Sequence, residues 1–172
     1  MKIGLSGKQR SGKDTVADYL VKKYNLKKIG FADELKKLAK EYFGFTDEEL
    51  EKKQWNVREA LQLLGNVGRL KNENFWVNKT LSNIDDNIVI KDVRYKNEAD
   101  ILKQNGFILV RIESDRDIRE KRGQLYNEDD LSETDLDNYD FDFIIYNNGK
   151  KSMLYKQIDW VLSKCQNQDM IN

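Results

Sequence analysis

Lys2-Ile3-Gly4-Leu5-Ser6-Gly7-Lys8-Gln9-Arg10-Ser11-Gly12-Lys13-Asp14-Thr15 opens the chain and decides how the rest is read. A short apolar run ends at a glycine. Behind it Val16, Ala17, Leu20, Val21 and Tyr24 recur at helical spacing. Between strand and helix stands G-x-x-x-x-G-K, residues 7–13, in the context where that pattern binds phosphate. The two glycines let the backbone curl, so its N–H groups point inward at phosphate oxygens. The helix start adds unpaired N–H groups and the positive end of its dipole. Lys13 supplies a point charge between the β- and γ-phosphates. The plain alternative is a glycine turn that only caps a helix.

One position departs from the pattern. The residue after Lys13 is normally Ser or Thr, whose hydroxyl binds Mg²⁺; here it is Asp14, followed by Thr15. A carboxylate also holds Mg²⁺, directly or through water, and Thr15 then donates to the α-phosphate. A second metal contact is expected where residues 87–92 form an apolar strand ending in Asp92, the place of a Walker-B acid. An ordinary turn aspartate is the competing reading.

Strand and helix signals alternate along the chain. Strands are expected at 2–6, 29–31, 87–93, 107–112 and 141–146. Helices are expected from 16 to 24, from 35 to 42, at 56–69, 75–84, 97–104 and 115–122, and through Leu154, Ile158, Val161, Leu162 and Cys165. Alternation predicts an α/β, three-layer sandwich with a mostly parallel sheet of about five strands. The polar, acidic segment 123–139 reads as a loop or flap. With no repeat and no linker, residues 1–172 read as a single domain.

Composition narrows the function. Apolar residues make up 39%, enough for a core, and 30 Lys plus Arg balance 30 Asp plus Glu. A net charge of zero argues against a nucleic-acid polymer as partner. There is no His, which excludes imidazole chemistry, and no Pro. Cys165, the only cysteine, allows no intrachain disulfide and fits a reducing compartment. No apolar run approaches a membrane span, and no signal peptide is read. A soluble cytoplasmic protein is expected.

The residues beyond the loop suggest an acceptor other than water. Arg58, Gln62, Gly65 and Arg69 share one stripe of the 56–69 helix, and Val57, Ala60, Leu61, Leu63, Leu64 and Val67 cover the other side. Close approach of a ligand would account for the mid-helix Gly65; a solvated polar face is the other reading. Arg116, Arg119 and Arg122 step along one helix and, with Arg111, concentrate positive charge. A mobile arginine lid over a triphosphate and a charge-balanced exposed helix are both open. Asp33 either orients the attacking oxygen or caps its helix, and Lys36 is placed to clamp a phosphate.

Taken together, residues 7–15, Phe-Ala-Asp-Glu-Leu-Lys (31–36), Arg-Glu-Ala-Leu-Gln-Leu-Leu-Gly-Asn-Val-Gly-Arg (58–69), Asp-Val-Arg-Tyr-Lys-Asn-Glu-Ala (92–99) and Leu-Ser-Glu-Thr (131–134) resemble the deoxynucleoside monophosphate kinases of bacteriophages. The order and spacing match over nearly the whole chain. The resemblance implies a P-loop nucleoside-monophosphate-kinase-like fold with acceptor-binding helices over about 32–85 and a helical lid over about 114–139. It implies ATP on Gly7, Arg10, Ser11, Gly12, Lys13, Asp14, Thr15 and Arg119, with Mg²⁺ at Asp14 and Asp92. The acceptor dNMP would be held by Lys36, Arg58, Gln62, Arg69, Arg94, Arg122, Ser132 and Glu133. Lys13, Arg119, Arg122 and Asp33 are the expected catalytic residues, in a monomer or homodimer. The family often has His just before Leu-Ser-Glu, where this chain has Asp130. Trp76 is read either as a base-stacking residue or as core. A phosphomevalonate-type kinase and a non-catalytic nucleotide-binding module are the competing functions.

Overall fold

Lys2–Ser6 (β1) lies in the middle of the sheet, as a strand buried on both faces must. Ile3 and Leu5 are almost wholly buried. The computed structural model describes residues 1–52, 55–82, 84 and 86–169. The other strands are β2 (Lys27–Ile29), β3 (Ile88–Ile90), β4 (Ile108–Glu113) and β5 (Phe143–Tyr146), in the order β2-β3-β1-β4-β5. Gly4 pairs with Ile90, Leu5 with Val110 and Ile112 with Ile145, all in parallel register. Parallel neighbours need crossovers, and helices supply them. The expected α/β sandwich with a five-stranded parallel sheet is what forms.

Alternation along the strands gives the sheet two apolar faces. Ile3, Leu5, Val89, Val110, Ile112 and Ile145 join one cluster with Val16, Ala17 and Leu20 of α1 (Lys13–Tyr24) and Leu154, Ile158, Val161 and Leu162 of α9 (Lys151–Asp169). Cys165 belongs to this core. Each such side chain contributes about 1.5–3 kcal/mol by leaving water. On the other face Gly4 leaves room for Leu109 and for Leu102 of α6 (Lys96–Gln104).

Asp159 ties α9 to α1. Its carboxylate accepts from the hydroxyls of Tyr19 and Tyr24, both at 2.7 Å, and from Lys23 at 2.8 Å. Burial raises the Asp159 carboxyl, but the bonds from Lys23, Tyr24 and Tyr19 outweigh it and hold the group below the usual range. A lowered folded pKa means stability that is present above the ordinary value of 3.8 and is lost as pH falls through the folded one. Asp159→Ala is expected to lower Tm by about 4 °C at neutral pH. In thermal melts that gap should close as the pH drops below 3.8.

By its contacts the chain divides into two compact units, Met1–Lys28 with Asn87–Asn172, and Ile29–Asp86. The second unit holds α2 (Phe31–Phe43), α3 (Asp47–Lys52), α4 (Trp55–Lys71) and α5 (Phe75–Leu81). Its core is Ala39, Leu50 and Val57, packed by Phe45, Leu61 and Leu64.

Several local expectations need correction. The strand expected at 29–31 is Lys27–Ile29, and Phe31 already starts α2. The helix expected to reach 84 ends at Leu81; Asn83, inside that span, lies outside the described residues, as do positions 53, 54, 85 and 170–172. Leu63 and Val67 do not join the buried side of α4; they are 61% and 65% exposed. Val57, Leu61 and Leu64, at i, i+4 and i+7, form the packed stripe, and 63 and 67 turn away from it. Gly65 is buried, with side chains of its own unit around it. A Cβ there would stand 3.1 Å from the Arg69 guanidinium, and its carbonyl accepts from Trp76 Nε1 at 2.9 Å. Trp76 is core at 4% exposure, seated where a Cβ on Gly68 would come within 2.5 Å of its indole nitrogen.

Candidate active site

In a parallel sheet every strand delivers its following loop to the same edge, and ligands bind at that edge beside the point where the strand order reverses. Here that point is β1, flanked by β3 and β4. The loops after β1, β3, β4 and β5 bring residues 7–12, Asp92 and Arg94, Ser114, and Asn147 to one edge of the first unit.

The loop after β1 is wound as the motif requires. Gly7 and Gly12 have φ of 147° and 109°, a region that side chains rarely adopt. A Cβ on Gly12 would also lie 2.3 Å from Asn147 Nδ2. Asn147 is buried, and its Nδ2 donates to the Ser11 carbonyl at 2.7 Å. Lys13 folds back over the loop, donating to the Gly7 carbonyl and, at 2.9 Å, to that of Lys8. Burial, and after it the charge of Arg94, lowers the Lys13 ammonium to about 7. Ser11 Oγ is buried with no hydrogen-bond partner. A polar atom left so is costly unless a ligand uses it.

Residues Arg116–Lys121 (α7) bring two of the three predicted arginines to this loop. Arg119 donates to the Gln9 carbonyl at 3.3 Å, the Ser114 carbonyl at 3.3 Å and Glu128 at 3.2 Å. Arg122 donates to the Arg10 carbonyl at 3.0 Å, the Ser11 carbonyl at 3.3 Å and the Asn147 carbonyl at 2.6 Å. Arg116 goes elsewhere, pairing with Glu120 and Glu128 at the surface. Arg111 is buried in the sheet, bound to Ser6 Oγ, Glu113 and Asp137. It pairs with two carboxylates, and its charge still acts on Lys13 of the loop.

The segment read as a flap contains a short helix, α8 (Leu131–Thr134). Asp130 caps it, accepting the Ser132 N–H at 2.8 Å. This gives Asp130 a structural role as the helix cap. Glu133 is buried; it pairs with Arg94 at 2.7 Å and accepts the Gln9 N–H at 2.8 Å. The Ser132 carbonyl lies 3.5 Å from the same guanidinium.

The remaining expected residues lie in the second unit, Ile29–Asp86. Asp33 accepts the Gly30 N–H at 2.8 Å, the capping contact. Lys36 lines a hollow with Asp33, Lys37, Lys40, Glu41 and Asp47. On α4, Arg58 is half-buried and Gln62 exposed. Arg69 donates to Asn66 at 2.7 Å.

Mg²⁺ in a P-loop site needs one or two carboxylates, because phosphate oxygens and water supply the other ligands. Among the described residues no cluster of three or more His, Cys, Asp and Glu side chains occurs. Asp14 acts on the charge of Lys13 and Asp92 on that of Arg94. One carboxylate thus stands beside each of two cations at this edge, a donor set that fits Mg²⁺ held mainly by a nucleotide.

A phosphate loop after a central strand, with helix-borne arginines folded onto it, defines a P-loop protein. The sequence comparisons agree. The family model described as an AAA domain matches residues 3–138. A protein of Acanthamoeba polyphaga mimivirus named "Putative deoxynucleotide monophosphate kinase" is 30% identical over 186 residues, covering 91% of this chain and 93% of that one. The shikimate kinase of Aquifex aeolicus superposes with a TM-score of 0.59 over 96% of this chain and 98% of its own, at 19% identity. That of Acinetobacter baumannii, in complex with shikimate, gives 0.58 over 95% and 93%, at 17% identity. At such identities the two structures show the fold alone. The chain belongs to the P-loop AAA-domain family. No helix among the described residues is long and apolar enough to cross a membrane.

Proposed function

We propose that the chain transfers the γ-phosphate of ATP to the α-phosphate oxygen of a deoxynucleoside monophosphate, giving a deoxynucleoside diphosphate and ADP. The observation that carries this reading is the loop itself. Its wound backbone is crossed by Lys13, Arg119 and Arg122, with Ser11 Oγ left unpartnered. The relationship to the mimivirus protein, spanning both chains almost entirely, supplies the acceptor class.

In this account the amides of residues 7–15 and Lys13 hold the β- and γ-phosphates. Arg119 and Arg122 exchange their bonds to loop carbonyls for bonds to phosphate oxygens. Negative charge spreads over the transferring group, so positioned cations lower its barrier. Asp14 and Asp92 hold Mg²⁺, which when bound neutralises phosphate charge. The acceptor-binding residues are assigned as Lys36, Arg58, Gln62 and Arg69 in the second unit and as Arg94, Ser132 and Glu133 in the first. The attacking oxygen is already anionic at neutral pH, so no strong base is needed; Asp33 orients. The enzyme works in deoxynucleotide metabolism, in the cytoplasm of an infected cell if it is viral.

The test is an ATP-coupled assay over the four dNMPs, with mevalonate phosphate and shikimate as competing acceptors. Turnover with at least one dNMP is expected. Turnover only with another acceptor, or nucleotide binding with none, would replace the proposal. Arg58→Ala is expected to raise KM for the dNMP about 10- to 100-fold and leave that for ATP nearly unchanged. An unchanged dNMP KM would remove Arg58 from the acceptor site.

A further inference from the structure

Every polar group of Gln9 is joined to one stretch of chain, residues 119–133. Its N–H donates to Glu133 Oε2 at 2.8 Å. Its carbonyl accepts from Arg119 Nη1 at 3.3 Å. Its side-chain amide engages both backbone groups of Tyr126. Nε2 donates to the Tyr126 carbonyl, and Oε1 accepts the Tyr126 N–H at 3.1 Å. This is the two-point pairing by which one strand engages another. Gln9 occupies the second variable position of the phosphate loop, where the motif sets no requirement. Its neighbours reach the same way. Lys8 pairs with Asp137 at 2.8 Å, and the Arg10 guanidinium lies against Gly123, 2.7 Å from where a Cβ would stand.

We infer that Gln9 is a positioning residue that latches the segment 119–133 to the phosphate loop and so holds Arg119 over it. The inference rests on the phosphotransfer reading above and deepens it. In that place Arg119 meets the phosphates of a nucleotide bound on the loop, and Gln9 makes four of the bonds that keep the segment there. The latch needs an amide, because it donates and accepts at once. Gln9→Ala removes two of the four bonds and leaves the two made by the backbone. Gln9→Glu keeps the acceptor but sets a carboxylate against the Tyr126 carbonyl.

Both variants are tested in the full chain. The first measurement is hydrogen exchange of peptides covering 123–133, with and without a non-hydrolysable ATP analogue. Loss of two hydrogen bonds is expected to speed local exchange about tenfold in Gln9→Ala, and at least as much in Gln9→Glu. Peptides from α1 and α9 should keep wild-type exchange. The second is steady-state kinetics. KM for ATP and acceptor-independent ATP hydrolysis relative to transfer should both rise. A purely structural role would lower Tm and leave the ratio of hydrolysis to transfer alone. Wild-type exchange at 123–133 in both variants overturns the latch. So does acceleration spread evenly over the chain, or local acceleration with unchanged kinetics. If no dNMP serves as acceptor, the proposed function fails, while exchange and affinity for the analogue still decide the latch.

Discussion

Lys13→Met is expected to cut turnover by about 10³-fold or more, with the fold intact. The ammonium is folded onto the Gly7 and Lys8 carbonyls. It lies on the loop that carries the G-x-x-x-x-G-K pattern. Methionine fills the same space and carries no charge, so the lost activity reports the charge. A second signature follows from burial, which lowers the ammonium to about 7 from an ordinary value of 10.5. Between those values the unfolded chain binds more protons than the folded one, so stability rises with pH across that window. Lys13→Met should remove that part of the slope, as measured by denaturant unfolding from pH 7 to 10. Bound triphosphate raises the Lys13 pKa again. Nucleotide binding near neutrality should therefore take up protons, as calorimetry in two buffers of different ionisation enthalpy would show.

Arg119→Ala is expected to lower kcat about 10³-fold, the scale of an arginine that stabilises a transferring phosphoryl group. Arg119 is buried at 6% exposure, and its fork is held by the Ser114 and Gln9 carbonyls and by Glu128. Its placement is therefore prepaid. Arg119→Lys should recover little, because an ammonium does not reproduce a planar fork. The control is Arg116→Ala, three residues earlier on the same helix. Arg116 is exposed and pairs with Glu120 and Glu128, so near-wild-type kinetics are expected. Equal losses in the two variants would mean that the helix acts through bulk charge and that Arg119 has no special place.

What was readable in the sequence was local. The phosphate loop is a run of neighbours whose glycines announce their backbone, and β3 and β5 lie in apolar runs. Two helices gave no such signal. Asp47–Lys52 and Leu131–Thr134 are short and polar, and they depend on caps such as Asp130 more than on an apolar stripe. Leu63 and Val67 misled because an apolar side chain on a helix reads as core whether or not anything packs on it. Gly65 admits two readings in the sequence, and the indole that bonds its carbonyl, Trp76, stands eleven residues on. Arg116, Arg119 and Arg122 looked alike; only the tertiary fold separates the two that reach the loop. Asn147 and Gln9 were invisible for the same reason. Asn147 bonds Ser11 across 136 positions, and Gln9 bonds Tyr126 and Glu133 across 117 and 124. Side-chain-to-backbone bonds over such distances leave no periodicity to read.

The central claim is phosphoryl transfer from a nucleotide held on residues 7–15 to a second nucleotide's phosphate. It is tested most directly by incubating the protein with γ-labelled ATP, Mg²⁺ and each dNMP, then separating the products. The account predicts label in the β-phosphate of a deoxynucleoside diphosphate, and none with Lys13→Met. Label confined to inorganic phosphate, or left wholly in ATP, with all four dNMPs would contradict it.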